Sequence, residues 1–206
     1  MLVLWLSLSN DSIAQAIKPY FIHYSTNQGL SQSQVGAILK DKQGFMWFAT
    51  QEGLNKFDGY TFTIYKHYTN DTNSLSDNNI YDIVEDSQGY LWVATGRGLD
   101  KFDKTTEVFT HHTTKLPDLK IRDLFIDSKQ HLWLGTVDGL YLFNGSKNNF
   151  SVFKHRDNQS NSLADNYVYR IAEDGKGNLW IGCKNGLSLF NPTNKRFRNY
   201  YHQDGN

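Results

Sequence analysis

Four aspartates recur at a constant distance from a tryptophan, and carboxylates are the groups that glycoside hydrolysis requires. Each aspartate precedes its tryptophan by six residues, which gives the pairs Asp41 and Trp47, Asp86 and Trp92, Asp127 and Trp133, and Asp174 and Trp180. Hydrolysis of a glycosidic bond uses two carboxyl groups about 5 to 10 Å apart. Because these four occupy the same turn of four different copies, they cannot approach one another. We therefore predict that they cap turn amides and that the chain has no catalytic residue.

The histidines and the single cysteine give no metal site or nucleophile either. His67, His155 and His202 share one repeat position in different copies, so they do not form a cluster of metal ligands. Cys183, the only cysteine, excludes an internal disulfide and a cysteine-based metal site, and we predict that it is a buried structural residue. No Gly-x-Ser-x-Gly elbow or phosphate-binding glycine loop occurs. We expect no cofactor and no metal ion.

Composition narrows the class of protein. The 206 residues include 21 basic and 21 acidic side chains, so no net field recruits nucleic acid or an anionic membrane surface. Aromatic residues make up 15% of the chain, which suits short strands that bury one aromatic-rich face. We expect a soluble all-β protein that does not bind nucleic acid.

The tryptophans mark an internal repeat, because they are separated by 45, 41 and 47 residues. Six residues after each tryptophan stands a glycine, at Gly53, Gly98, Gly139 and Gly186. Each copy shows four short strand patterns separated by turn signals. Four strands in such a period are typical of a β-propeller blade. We predict a propeller of about four four-stranded antiparallel blades, over residues 35–68, 80–112, 121–155 and 168–202.

The N-terminus resembles an export signal. An apolar run from Leu2 to Leu8 is followed by Ala14-Gln15-Ala16, the pattern of a cleavage site, so residues 1–16 are predicted to be a signal peptide. A buried first strand or helix is the alternative, because no basic residue precedes Leu2. The run is too short to span a bilayer.

Residues 17–34 contain an unpaired strand pattern. Phe21–Tyr24 matches the outermost strands of the later copies, yet the fourth copy already has its own outermost strand. Propellers commonly close when an N-terminal strand completes the last blade. We therefore expect this strand to complete a missing blade, the four copies to form an incomplete arc, and the chain to be an N-terminal fragment.

The repeat motif resembles that of the two-component regulator propeller family. The copies that carry the resemblance begin Asp41-Lys-Gln-Gly, Asp86-Ser-Gln-Gly, Asp127-Ser-Lys-Gln and Asp174-Gly-Lys-Gly, and each continues through its tryptophan to Gly-Leu. Gln130 in place of glycine and Cys183 in place of threonine depart from the pattern. The resemblance implies seven-bladed propellers on the periplasmic side of the inner membrane, followed by a membrane helix and a histidine kinase or diguanylate cyclase. It also implies oligosaccharides as ligands, and a dimer formed through the full-length sensor.

The residues that differ between otherwise constant hairpins are our ligand-face candidates. They lie between the second and third strands of each copy, at Gln51, Glu52, Arg97, Asp138, Lys184 and Asn185. Function on repeat folds concentrates where loops vary. The alternative for each is an ordinary solvated turn residue.

Three tyrosines near the start of innermost strands, Tyr81, Tyr167 and Tyr169, are candidates for stacking on a sugar, or for ordinary strand packing. A small ligand, the remaining blades and the output domains are the expected partners. The favoured function is ligand sensing, and the alternatives are a secreted glycan-active enzyme with a propeller fold and a protein-binding scaffold.

Overall fold

The computed structural model describes residues 20–112 and 120–202. The predicted signal peptide, residues 1–16, lies outside the described residues. Within them, no helix is long and apolar enough to cross a membrane, and the only helical element is a 3-10 turn at Thr26–Gln28.

Sixteen strands form four sheets of four, and each sheet takes its strands in chain order as an antiparallel meander. The first two blades are β1 (Val35–Lys40), β2 (Met46–Thr50), β3 (Gly53–Phe57), β4 (Phe62–Tyr65), β5 (Ile80–Glu85), β6 (Leu91–Thr95), β7 (Gly98–Asp103) and β8 (Val108–His111). The last two are β9 (Ile121–Ile126), β10 (Leu132–Thr136), β11 (Gly139–Asn144), β12 (Asn149–Phe153), β13 (Val168–Glu173), β14 (Leu179–Cys183), β15 (Gly186–Asn191) and β16 (Arg196–Tyr200). The predicted all-β class and blade structure are confirmed.

The hydrophobic core lies in the seams between blades and not within any one sheet. The tryptophans of the first three blades face the next blade, where each ring meets a phenylalanine, at a centroid distance of 5.7 Å for Trp47 and Phe102 and 5.1 Å for Trp92 and Phe143. Trp180 of the fourth blade lies 5.7 Å from Tyr200 of its own blade. Three apolar clusters fill the three seams. A blade therefore buries its faces only against its neighbours, as expected of repeat folds.

The four blades form an open arc. Innermost strands pack in the order β1, β5, β9 and β13. The outward faces of the terminal blades stay accessible, since Ile38 of β1 is 60% exposed and Leu187 of β15 is 38% exposed. The expected incomplete propeller is thus present.

The segment before the first blade lies against that blade without joining a sheet. Residues 20–25 have no strand assignment, and Phe21 is 75% exposed. The Tyr24 ring contacts Phe57 at 4.8 Å and Phe62 at 5.9 Å between ring centroids. That this segment completes a further blade stays a prediction.

Candidate functional site

The turns that carry the ligand-face candidates lie beside the loops that connect successive blades. The Gly53 amide donates to the Asn78 carbonyl at 2.9 Å, and the Lys184 amide donates to the Tyr167 carbonyl at 2.9 Å. Gly139 shows why glycine follows the variable pair, since its φ is +133° and an added Cβ would lie 2.7 Å from the Phe153 carbonyl oxygen. The two kinds of loop therefore form one face of the arc, which we call the loop face.

Most of the variable turn residues have partners on the loop face. Exposed ion pairs join Glu52 to Lys66 at 3.7 Å, Arg97 to Asp77 at 3.8 Å and Asp138 to Lys154 at 2.6 Å. The Asn185 amide donates to Asp165 at 2.6 Å. Gln51 and Lys184 are exposed. Such pairs contribute about 0 to 1 kcal/mol and are easily exchanged, so these side chains can adapt to a ligand but are not held in place for one.

A more ordered arrangement occurs on the innermost strands. The register of each innermost strand against its neighbour shifts near its first residue, and the residue at this irregularity is Gly36, Tyr81, Arg122 or Tyr169. A bulge adds one residue and re-aims its side chain. These four residues, together with Arg170, line a cavity of about 410 Å³ among the innermost strands, which we call the central cavity.

Aromatic and guanidinium groups dominate the central cavity. The Tyr169 ring lies 4.8 Å from that of Tyr167, and the Arg122 guanidinium lies 5.8 Å from the Tyr167 ring centroid. The Tyr81 hydroxyl accepts a hydrogen bond from the Asn79 amide at 3.0 Å. Tyr169 is 45% exposed and available for contact. The structure thus brings the three candidate tyrosines to one region, two of them on the cavity wall.

Sequence reasoning missed Arg122 and Arg170. The signal was present, because Arg122 holds the same repeat position as Tyr81 and Tyr169. Arg170 Nη1 donates to Asp123 Oδ1 at 3.0 Å and to the Arg122 carbonyl at 3.0 Å, which links blades three and four. A cavity of this composition can bind polar rings by stacking and anionic groups by ion pairing.

Two carboxylates, half-buried Asp82 and buried Asp123, lie behind the central cavity and tie the blades together. Asp82 Oδ2 accepts the Leu124 amide of the next blade at 2.7 Å, and Asp123 Oδ2 accepts the Ile171 amide at 2.7 Å. Burial raises the pKa of Asp82, and burial with the nearby Asp82 charge raises the pKa of Asp123 to about 6. Their backbone partners give both groups a structural use.

The repeat aspartates lie in the turns on the opposite face, which we call the turn face. Asp41 Oδ1 accepts the amides of Gln43 and Phe45, and its Oδ2 accepts the Trp47 indole N–H at 2.9 Å. Asp86 and Asp127 bind their own tryptophans in the same way, at 3.0 and 2.9 Å. Asp174 instead binds the side-chain amide of Asn178 at 3.0 Å. Gln130, at the glycine position of its turn, has a φ of +67°.

The remaining candidates are dispersed. His67 and His155 each contact a carbonyl oxygen through Nδ1 at 2.6 Å, on Leu75 and Leu163 respectively. Cys183 is buried, and burial raises the pKa of its thiol to about 11. In the ranges that the structure describes, no group of three or more His, Cys, Asp or Glu residues could hold a metal ion.

An arc of four-stranded blades with tryptophan-filled seams defines a β-propeller repeat protein. Residues 29–52, 74–97, 115–138 and 162–185 match the family model described as the two component regulator propeller. Each match ends in the turn after the second strand of its blade. The chain belongs to the two component regulator propeller family.

Several known proteins are similar to this chain. A histidine kinase P4 of Formosa agariphila is 48% identical over 54 residues, which is 26% of this chain and 4% of the kinase. The extracellular domain of a hybrid two component system of B. thetaiotaomicron is 28% identical over 89% of this chain and 32% of its own, with a TM-score of 0.62. The chain therefore spans a minor part of these relatives.

A propeller of a different class shares the fold. Virginiamycin B lyase of Staphylococcus aureus is 14% identical, covers 86% of this chain and 58% of its own, and has a TM-score of 0.66. At this identity the likeness concerns the fold alone.

Proposed function

We propose that this chain is the ligand-sensing β-propeller region of an extracytoplasmic, transmembrane signalling protein of the two-component type, and that its ligand is an oligosaccharide. The central cavity is the observation that carries this proposal. Tyr81, Arg122 and Tyr169 come from three successive blades and meet in one cavity because each stands at the bulge of its innermost strand.

The chemistry of the cavity fits a carbohydrate. Tyrosine rings offer a flat apolar face with a polar edge, which suits the apolar face and hydroxyl rim of a sugar. Arg122 adds a positive charge, which favours sugars that carry a carboxylate or sulfate. Gly36 holds the bulge position of blade one, so the wall is lowest on that side.

The proposed role is binding without catalysis. The two carboxylates behind the cavity, Asp82 and Asp123, accept hydrogen bonds from the amides of Leu124 and Ile171. The similar structure from B. thetaiotaomicron is the extracellular domain of a hybrid two component system. This similarity supports an extracytoplasmic location for the chain, and export by residues 1–16. The remaining blades and the output domains of a dimeric sensor are the proposed partners.

Binding of defined oligosaccharides tests this proposal. Isothermal titration of tetragalacturonate and cellotetraose into the chain should give saturable binding, stronger for the acidic sugar. Tyr81→Ala and Arg122→Ala should each weaken it at least tenfold, because each removes one of the few groups that line the cavity. Tyr60→Ala is the matched control, since Tyr60 is 91% exposed in a turn on the turn face.

Two results would count against the proposal. Absence of binding by both sugars would reject an acidic or neutral oligosaccharide of this type as the ligand. Chromatography after incubation should show intact sugars, and a product peak that disappears with Arg122→Ala would favour the enzyme alternative.

A further inference from the structure

A second cavity lies on the turn face, between blades two and three. Its volume is about 510 Å³, and its wall includes Asp86, Trp92, Leu132 and Phe143. The Asp86 carboxylate, which belongs to the repeat turn of blade two, lies in its wall and faces blade three. It lies at the end of the strands remote from the loop face, so the proposed oligosaccharide does not occupy it. We call it the seam cavity.

The same place between blades one and two is filled by a lysine. Lys104 Nζ lies 3.1 Å from Asp41 Oδ2 and 2.7 Å from Glu85 Oε1. The side chain of Lys104 is 9% exposed and that of Asp41 is fully buried. Burial would lower the pKa of Lys104, but its bonds to Glu85 and Asp41 raise it, so the lysine is a buried ammonium.

Two replacements open the seam cavity. Gly145 stands in blade three where Lys104 stands in blade two, and Ile126 stands where Glu85 stands. Both replacements line the seam cavity. The apolar floor is retained, because the Trp92 ring still meets Phe143 at 5.1 Å.

The carboxylate at the base of the cavity is that of Asp86. In the other three copies, Oδ2 of the repeat aspartate accepts a hydrogen bond from a side chain other than the tryptophan. Oδ2 of the repeat aspartate accepts from Lys104 at Asp41, from His131 at Asp127 and from Asn178 at Asp174. Among the described residues, Asp86 Oδ2 receives only the Trp92 indole at 3.0 Å. Asp86 is partly exposed, whereas Asp41 is 4% exposed.

The Lys101 ammonium lies near the seam cavity, but a charge at this distance does not prevent a second ammonium group from binding. Lys101 Nζ lies 5.5 Å from the Trp92 ring centroid, and Lys56 Nζ lies 5.8 Å from that of Trp47. The seam between blades one and two therefore holds the Lys104 ammonium despite the same neighbouring charge. From this internal comparison we infer that the seam cavity is a binding site for a small primary alkylammonium ligand, whose nitrogen pairs with Asp86 Oδ2 and whose chain lies on Trp92 and Phe143.

The physical basis is the pairing that Lys104 already makes. A carboxylate and aromatic faces together stabilise an ammonium through an ion pair and cation–π contacts. The walls of Leu132 and Phe143 remove an alkyl chain from water. A neutral ligand of the same shape would gain only the second contribution.

The indole N–H signal of Trp92 reports on the site, because it donates to the oxygen that the ligand would share. In ¹H–¹⁵N spectra of the chain, n-butylammonium chloride should shift this signal saturably, in the millimolar range expected for so small a ligand. The indole signals of Trp47 and Trp133 are internal controls and should not move. Neither 1-butanol nor an equal concentration of potassium chloride should reproduce the shift.

Two variants make the test independent of folding defects. Asp86→Asn should abolish the response to n-butylammonium. Gly145→Lys should abolish it too, while raising the unfolding temperature, because the new side chain can reach Asp86 as Lys104 reaches Asp41. Gly145 tolerates this change, since its φ is not positive and an added Cβ meets only Phe143 at 3.5 Å. An equal shift with 1-butanol, no saturable shift, or an unchanged response in Gly145→Lys would overturn the inference.

Discussion

The first two seams of the arc have the same kind of apolar stack, but their polar ties lie at different places. Between blades one and two the polar tie is on the turn face, where Lys104 joins Asp41 to Glu85. Ala37 occupies the inner position there and offers no acceptor, so the Ile83 amide bonds to Asp82 of its own blade. The apolar stack closes a seam, and the polar tie can stand at either of its edges.

Between blades two and three the arrangement is reversed. Asp82 accepts the Leu124 amide at the inner edge, and the turn face carries the seam cavity. Each of these two seams thus has its polar tie at one edge, and in the second seam the turn-face edge is left open as the seam cavity. The predictions below alter the ties one at a time.

Removal of the lysine tie should have the largest effect on stability. Lys104→Ala leaves the Asp41 and Glu85 carboxylates without their counter-ion, and loss of one partner of a buried ion pair costs about 3 kcal/mol. Urea unfolding should show this loss, whereas Lys129→Ala, at an exposed turn position, should change stability by less than about 0.5 kcal/mol. Equal effects of the two variants would remove the distinction between the seams.

The Asp123 tie, at the inner edge between blades three and four, should make the fold more stable as the pH falls, whereas the Asp41 tie should make it less stable. The pKa of Asp123 in the folded protein is about 6, above its ordinary value, so protonation favours the folded state. Its charged form therefore destabilises the fold at neutral pH, and this penalty disappears as the pH falls from 7 to 4. The stability of the wild type relative to Asp123→Asn should rise by up to about 2 kcal/mol over that range.

The Asp41 carboxylate works in the other direction. Burial would raise its pKa, but the bonds from Trp47 and Lys104 outweigh burial and lower it. Its contribution to stability is therefore lost as the pH falls toward its folded-state pKa.

For Asp123, the contradicting result is a difference in stability between the wild type and Asp123→Asn that does not change with pH. That result would show that the pKa of Asp123 is not raised in the folded protein.

The smallest effect separates the two repeat aspartates at the turn face. Asp41→Asn should cost about 1 kcal/mol more than Asp86→Asn, since only Asp41 also binds an ammonium. Each variant keeps one oxygen for the turn amides and loses the acceptor for the indole, so the two changes differ in the bond to Lys104. Thermal unfolding of the two variants measured side by side checks the difference, and the reverse order would show that the second acceptor site of Asp86 already has a stabilising partner.

The sequence predicted the blades well because the repeat is encoded locally. Tryptophan, aspartate and glycine keep fixed offsets, and each offset reports a contact within one hairpin or its turn. The central cavity was predicted only in part. The innermost tyrosines were identifiable, but Arg122 joins them through a bulge that shifts the alternation of one strand, and single-sequence alternation does not reveal such a shift.

The seam cavity was not predictable in this way. Lys104 contacts a carboxylate 63 residues earlier in the chain, and Gly145 matters only through the lysine that it replaces. The replacement of lysine by Gly145 can be interpreted only when the structure shows which carboxylate of the neighbouring blade lies opposite it. The turn-face aspartates were likewise expected to cap amides, but their bonds to the tryptophan indoles required the folded geometry.

The Lys104 tie has a consequence for how such a chain can change by duplication and exchange of blades. Every blade carries its tryptophan and its phenylalanine at the same positions, so the aromatic contacts alone do little to fix the order of the units. The lysine, however, pairs with the carboxylate of the preceding blade and with the glutamate of its own sheet, so it travels with its own blade. Exchanging units two and three would set Gly145 against Asp41 and move the ammonium one seam along. The polar ties therefore distinguish blades that are otherwise alike, and they favour some orders of the units over others.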